Sequence, residues 1–355
     1  MKLMRRSSLI VGGVLLLLGL ALLLTAARLP AALQDQRQAE RWAGESGKRF
    51  KQFTCILSPG QTLTQETIYA FRSAAADAVA ASDFELSEGG SAFCDAWSVG
   101  GTAKVTGPRG SFDAGALAVG GRFFDFHPLR LLSGGYLTES DLMRDRVVLN
   151  EQMAWLLFGS TELAGQTVAI GQRDFIVAGV VAQESDRFTR AVSEGGPMLY
   201  LQYENCELTG ETGVTCYETV LPEPVKGFAR DVVDKAFAKL GLVVENTGRF
   251  SFAASLQRLR GVGKLGTRTS AVTFPVWENA AIAAENACAF LRLAAMLLLI
   301  WPAVLLIAGL RLLARFALGK LKRGGSAAKE AILDRRDAHR RRVISRKGTH
   351  TTHSR

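Results

Sequence analysis

The chain has 355 residues, of which 48% are hydrophobic and 21% charged, and this composition excludes an intrinsically disordered protein. Its formal net charge of +10 is uneven, because residues 311–355 contain 14 Lys/Arg against 3 Asp/Glu. No aromatic residue follows Phe316 in that tail, so it lacks the side chains on which bases stack, and we predict no nucleic-acid partner.

Two apolar runs predict two transmembrane helices. Ser7–Ala27 has 21 residues and Leu293–Leu310 has 18, all without a charge, which suits the roughly 20 residues that cross a bilayer. They argue against a soluble cytoplasmic protein and against a transporter with many spans of its own. Thr25-Ala26-Ala27 is a weak signal-peptidase site, so a cleaved signal stays open beside the favoured uncleaved anchor.

The flanking charges predict the orientation of both spans. Lys2, Arg5 and Arg6 precede the first run, and a basic cluster starting at Arg311 follows the second. The positive-inside rule then places both termini in the cytoplasm and residues of about 30–285 outside. The basic tail is expected to bind membrane lipid.

Between the spans, the order of predicted elements indicates an α+β domain. Strand Phe53–Leu57, a helix capped by Thr64 and strand Phe93–Val105 form a first split βαβ-like half. Strand Thr215–Leu221, amphipathic helix Val225–Leu240 and strand Leu242–Glu245 form a second. A β-rich insert at about 115–190, containing a hairpin that turns at Gly171, separates the halves and argues against a doubly wound sheet.

The predicted organisation has four parts. Residues 246–275 are expected to be irregular, Pro275 to start a helix, and Pro302 to kink that helix within the bilayer. The parts are a cytoplasmic start with the first span at 1–29, an extracytoplasmic core domain at 30–275, a stalk with the second span at 276–311, and a basic cytoplasmic tail at 312–355.

No motif predicts an enzyme. The segment Gly261-Val262-Gly263-Lys264 lacks the lead and the hydroxyl of a phosphate-binding loop, and no hydrolase or zinc motif occurs. His127 is the one histidine predicted to lie outside, and it is expected to be a packed or turn histidine. We therefore assign no catalytic, cofactor-binding or metal residue and expect no cofactor.

The cysteines offer two candidate disulfides in an oxidising compartment. Cys206 and Cys216 flank a short polar loop between two predicted strands and are the favoured pair. Cys55 and Cys94 lie on the strands around the first helix and form the second candidate. Free buried thiols remain the alternative to both pairs.

The stretch Gly120–Val181 resembles the extracytoplasmic core domain of MacB-like ABC transporter permeases. The match depends on the order and spacing of short pieces, none of them specific alone. The pieces are Gly134-Gly135, Val147-Val148-Leu149-Asn150, Leu157-Phe158-Gly159, Gly165, Val168-Ala169-Ile170 and Phe175-Ile176-Val177-Ala178-Gly179-Val180.

This resemblance implies a porter-like βαβ module with a β-rich insert, carried on membrane helices and working with a separate ATPase. Such permeases usually have four spans, whereas this sequence predicts two. The resemblance therefore leaves three alternatives open: a reduced permease, an accessory subunit, or a permease chain paired with a partner that supplies the missing spans. The implied function is a non-catalytic membrane subunit that couples to a separate ABC ATPase or permease for export or mechanotransmission. A membrane-anchored extracytoplasmic binding or assembly module with no ATPase link is the alternative, and homo-oligomerisation stays open.

Overall fold

The computed structural model describes residues 2–82, 84, 91–184, 186–193, 195–210, 213–260 and 274–348. The chain forms two compact units, one at Leu23–Arg292 and one composed of Met1–Leu22 with Leu293–Arg355. Helices α1 (Lys2–Arg28) and α9 (Val276–Gly348) contribute to both units. Each is long and apolar enough to cross a membrane, as the two uncharged runs predict.

The smaller unit pairs parts of α1 and α9. A Cβ built at Gly19 would lie 2.7 Å from the Leu299 Cγ, so glycine permits this close approach of the two helices. Pro302 lies inside α9, where it removes one backbone donor from the helix.

The first split half begins the larger unit. It consists of β1 (Phe50–Leu57), α3 (Gln65–Ala80) and β2 (Cys94–Gly107), preceded by the short α2 (Gln38–Ala43). As the sequence predicts, the Thr64 hydroxyl caps α3 by accepting a hydrogen bond from the Thr67 amide at 3.3 Å.

The second half supplies β9 (Cys216–Pro222), α7 (Phe228–Phe237) and β10 (Gly241–Glu245). The four strands pair in the order β10-β1-β9-β2, and each neighbouring pair is antiparallel. Each βαβ half is thus split by a strand of the other half, which confirms the predicted α+β class.

The insert lies between the two halves and extends their sheet. It spans Gly110–Gln202, wider than the predicted 115–190, and the predicted hairpin turns at Gly171, which has a φ of 62°. Its elements are β3 (Gly110–Gly121), α4 (Phe123–Phe126), β4 (Leu131–Gly134), β5 (Arg146–Asn150), α5 (Glu151–Leu157), β6 (Thr167–Ile170), β7 (Arg173–Val181), α6 (Arg187–Val192) and β8 (Met198–Gln202).

The insert and the halves share one sheet. Beyond β2, the strand order continues β3-β8-β5-β7-β4, and β6 pairs with both β2 and β7. Two parallel pairings, of β3 with β8 and of β5 with β7, lie inside this otherwise antiparallel sheet. Among the described residues the sheet has ten strands, so the insert is joined to the halves by backbone hydrogen bonds.

Helices α3 and α7 cover one face of the four strands β10, β1, β9 and β2. Phe71 of α3 and Phe237 of α7 lie 4.9 Å apart between ring centroids, and both contact Tyr217 of β9. The insert has its own apolar core, in which Met153 and Leu157 of α5 pack against Phe175. Burial of these side chains stabilises the fold, which explains why the sequence has apolar residues at these positions.

Two predictions about the chain after β10 need correction. Residues Phe252–Arg260, expected to be irregular, form the helix α8, whose exposed Phe252 and Leu256 gave no clear buried face in the sequence. The helix α9 begins directly after Pro275, as predicted, but continues through the expected tail to Gly348. The Gly261-Val262-Gly263-Lys264 segment lies outside the described residues.

Candidate functional site

The second face of the four strands β10, β1, β9 and β2 is buried and carries polar side chains beside apolar ones such as Ala96 and Val220. Side chains alternate along a strand, so Gln52 and Thr54 of β1 and Glu218 of β9 point away from the face that α3 and α7 cover. All three are at most 2% exposed. We call the polar cluster on this face the polar junction. Besides these three residues it includes residues 33–38, His127, residues 246–258 and the base of α9 (residues 276–292).

His127 connects two carboxylates within the polar junction. Its Nδ1 lies 3.2 Å from the Asp35 Oδ1, and its Nε2 lies 2.6 Å from the Glu218 Oε2. Its imidazole lies between the rings of Phe123 and Trp277, each 4.4 Å away between centroids. His127 therefore contacts the segment after α1, the sheet and the first turn of α9 together.

This geometry identifies His127 as an imidazolium. A neutral imidazole donates from one nitrogen only, whereas both nitrogens here face carboxylate oxygens that accept. Burial alone lowers the pKa of His127, but the charge of Glu218 and the hydrogen bonds that the imidazolium donates to Asp35 and Glu218 outweigh it and raise the pKa from 6.5 to about 10. A histidine that two carboxylates hold protonated at neutral pH, and that is 2% exposed, cannot act as a general base there.

A second part of the polar junction is centred on Arg249, in the turn after β10. Its Nη1 and Nη2 donate to the two carboxylate oxygens of Glu278, both at 2.8 Å, and its Nε donates to Glu285 at 2.5 Å. Glu278 is fully buried, and the Arg249 side chain is 3% exposed. Such a forked pair of hydrogen bonds is the strongest arrangement between a guanidinium and a carboxylate.

Gln36 joins the two parts. Its Oε1 accepts from the Arg249 Nη1 at 2.9 Å and from the Asn246 Nδ2 at 2.8 Å. Asn246 follows β10, and its Oδ1 accepts from the Thr54 hydroxyl at 3.1 Å. The segment after α1 is thereby attached to both the sheet and the arginine that holds α9.

The buried carboxylates of the polar junction each contact a cation. Four carboxylates, each at most 16% exposed, form ion pairs with three cations. Such buried charges need partners, because an uncompensated one is expensive to remove from water. The carboxylates belong to Asp35, Glu218, Glu278 and Glu285, and the cations to His127, Arg249 and Arg258.

The structure does not contain the expected Cys206–Cys216 disulfide: both are free thiols. Cys206 packs against the apolar cluster that includes Tyr217, the residue after Cys216 in β9. Because neighbouring side chains on a strand point to opposite faces, Cys216 faces away from Cys206. Burial raises the pKa of the Cys216 thiol well above 9.0, which further lowers its reactivity.

The second candidate pair is also separated. Strand β9 lies between β1, which carries Cys55, and β2, which carries Cys94. Two strand spacings of about 4.8 Å exceed the Cα separation of roughly 7 Å that a disulfide can bridge. Cys55 and Cys94 are free and buried.

Sequence reasoning identified His127 as a packed histidine but missed its partners. A signal was present in Glu218, which interrupts the apolar side chains of a predicted strand, and in Glu278 and Glu285, which lie in a mostly Ala-rich helical run. A carboxylate in such a position is paired when buried. Among the described residues no group of three or more His, Cys, Asp and Glu side chains has the arrangement of a metal site.

Comparison with known proteins gives a family match over more than half of the chain. The MacB-like periplasmic core domain family matches residues 30–223. No curated protein matches the chain. Its fold is similar to the extracellular domain of the noncanonic ABC-type transporter YknZ from Gram-positive bacteria, at 16% identity and a TM-score of 0.38, covering 54% of this chain and 92% of that one.

Two further solved structures share this similarity. The periplasmic region of MacB from Actinobacillus actinomycetemcomitans is 19% identical, with a TM-score of 0.40, covering 59% of this chain and 92% of that one. A domain of a putative permease protein from Porphyromonas gingivalis is 15% identical, with a TM-score of 0.33, covering 54% and 82%.

The fold and the two apolar helices define a membrane protein with an extracytoplasmic α+β domain between its candidate spans. The chain belongs to the MacB-like periplasmic core domain family.

Proposed function

We propose that this chain is a non-catalytic membrane subunit of the ABC transporter permease class, coupling to a separate ATPase for export or mechanotransmission. Membership of the MacB-like family supports the class, and similar solved domains come from proteins described as a MacB, a noncanonic ABC-type transporter and a putative permease. The polar junction supports the coupling role, because it ties both segments that adjoin the candidate spans to one sheet.

The positions of the junction residues support the proposed coupling role. Asp35 and Gln36 follow α1, and Glu278 and Glu285 belong to α9, the helix that also carries the second apolar run. Buried ion pairs separate only at a large free-energy penalty. A displacement of either segment is therefore expected to move the sheet.

We propose that both termini are cytoplasmic and that the core domain is extracytoplasmic. The basic residues that flank the two apolar runs support this orientation. In a background without native cysteines, an impermeant thiol reagent added to intact cells should label a cysteine placed at Gly210 and not one placed at Gly348. Labelling at position 348 alone would reverse the orientation.

Co-purification in mild detergent tests the ATPase link. The full chain should retain an ABC ATPase or a permease subunit and should show no ATP hydrolysis by itself, since the sequence has no phosphate-binding motif. Deleting residues 326–355 spares the charges next to the second run, so membrane insertion should persist while the partner is lost.

The alternative is a membrane-anchored extracytoplasmic binding or assembly module. A full-length chain that co-purifies with extracytoplasmic proteins but with no ATPase or permease would favour it. Hydrolysis of ATP by the purified chain alone would contradict both proposals.

A further inference from the structure

Three residues at the base of α9, spaced seven apart in the sequence, bind it to the rest of the domain. Glu278, Glu285 and Arg292 lie on one face of the helix, because seven residues make about two turns. Glu278 and Glu285 bind Arg249, while Arg292 donates to the carbonyls of Phe250 and Ser251 at 2.7 and 2.8 Å. All of these partners come from the turn between β10 and α8.

Within that turn, Arg249 contacts both the segment after α1 and the base of α9. It donates to Gln36 on one side and to Glu278 and Glu285 on the other, over distances of 2.5 to 2.9 Å. The planar guanidinium makes these bonds in fixed directions. The position of its acceptors around the helix axis is therefore defined, and not only their distance from the sheet.

The turn that carries Arg249 is itself attached to the sheet. The backbone N–H of Asn246 donates to the backbone carbonyl of Gln52 at 2.8 Å, and the backbone N–H of Arg249 donates to the backbone carbonyl of Asn246 at 3.3 Å. Lys51 of β1 also forms an ion pair with Glu245 of β10 at 2.5 Å. Arg249 thus projects from a fixed backbone towards α9.

A rotation of α9 about its own axis would break this arrangement. A turn by one residue position, about 100°, would carry Glu278 and Glu285 away from the guanidinium together. Arg249 would then remain as an unpaired buried charge, which the surrounding protein cannot solvate. A turn in one direction would bring Trp277 and Ala284, which accept no hydrogen bond, to the guanidinium, and a turn in the other would bring the uncharged Asn279 and Asn286.

We propose that Arg249 is a positioning residue that fixes the rotational setting of the α9 base and the course of residues 34–38 against the sheet. Its consequence for movement across the membrane rests on the proposed function, whereas the setting itself is a property of the isolated chain. Arg249 acts through Glu278, Glu285 and Gln36 and is not assigned a ligand.

Hydrogen–deuterium exchange of the full chain in detergent tests this role, since it reports local opening segment by segment. Arg249→Met should accelerate exchange of residues 276–292 and 34–43 by roughly 100-fold, as expected for breaking a buried pair on one side. Exchange in α3 should stay at the wild-type rate. Arg249→Lys should give an intermediate acceleration, because an ammonium keeps the charge but lacks the fork.

Arg230→Met is the matched control. Arg230 forms an ion pair with Asp234 at 2.6 Å on the surface of α7, and its side chain is 43% exposed, so its loss should leave exchange at 276–292 unchanged. If Arg249→Met does not fold, Glu285→Gln serves instead, because it weakens the contacts of Glu285 with Arg249 and Arg258 and keeps the fork between Arg249 and Glu278. It should accelerate the same two segments by roughly 10-fold.

Unchanged exchange at 276–292 in Arg249→Met, or in Glu285→Gln where that variant replaces it, would overturn the proposal. An equal acceleration in α3 would also overturn it, because the residue would then support the whole fold and not the setting of α9. The measurement needs no ATPase, so its outcome is separate from the co-purification test of the proposed function.

Discussion

The two faces of the strands β10, β1, β9 and β2 share one backbone but bind their neighbouring segments by different interactions. Tyr217 and Glu218 are neighbours in β9, yet Tyr217 packs against Phe71 and Phe237, whereas Glu218 forms an ion pair with His127. An apolar contact tolerates any side chain of suitable volume. A buried ion pair requires its particular partner, so the polar face specifies which segments dock on the sheet.

The largest effect is expected on the apolar face. Phe71→Ala should lower the free energy of unfolding by about 4 kcal/mol, because it removes a ring that is 5% exposed and leaves a cavity beside Tyr217 and Phe237. Chemical denaturation of the full chain in detergent measures this. Tyr69→Ala, a 56% exposed residue on the same helix, is the control and should change it by less than about 1 kcal/mol.

The polar face should respond almost as strongly to the loss of its histidine. His127→Gln keeps hydrogen bonding but removes the positive charge between Asp35 and Glu218, which should lower the free energy of unfolding by about 3 kcal/mol. Arg122→Gln breaks an exposed pair with Asp125 and should change it by under about 0.5 kcal/mol. Equal stability of His127→Gln and wild type would contradict the imidazolium assignment.

The difference in the free energy of unfolding between wild type and His127→Gln should depend on pH. The pKa of His127 is raised from 6.5 to about 10, so its stabilising contribution is complete below pH 6.5 and is lost as the pH rises through about 10. Burial also raises the pKa of the nearby Glu184, to about 7, with Asp35 adding to the rise and His127 opposing it. Subtracting the His127→Gln profile from wild type reduces this background, and the difference should shrink by more than half between about pH 7 and 10. A difference that stays constant over this range would argue against the charged histidine.

The smallest effect is expected at Cys216, which is buried on the polar face. Cys216→Ser should lower the melting temperature by a few degrees, because a hydroxyl replaces a thiol that is 3% exposed. Since Cys216 and Cys206 face opposite sides of the sheet, the loss should be equal with and without reductant. A loss confined to oxidising conditions would restore the disulfide that the sequence favoured.

The sequence predicts the apolar face of this domain far better than the polar one. The spacing of Ile68, Phe71 and Ala75 indicates the buried face of α3 because apolar periodicity is local information. By contrast, the partners of His127 are 92 and 91 residues away in the sequence. No local pattern encodes such pairs, and the helix α8 escaped prediction because tertiary contacts, such as that of Ser255 with Arg292, stabilise it.

The pairing of β1 with β10 has a consequence for biogenesis. Lys51 and Glu245, which form an ion pair across these strands, are 194 residues apart in the chain. During synthesis β1 emerges early, while both of its neighbours in the sheet, β9 and β10, follow only after the whole insert. Its apolar residues, such as Phe53 and Ile56, must remain unpaired until β9 and β10 arrive. The sheet is therefore expected to complete its pairing only after the whole insert and the second half have been synthesised.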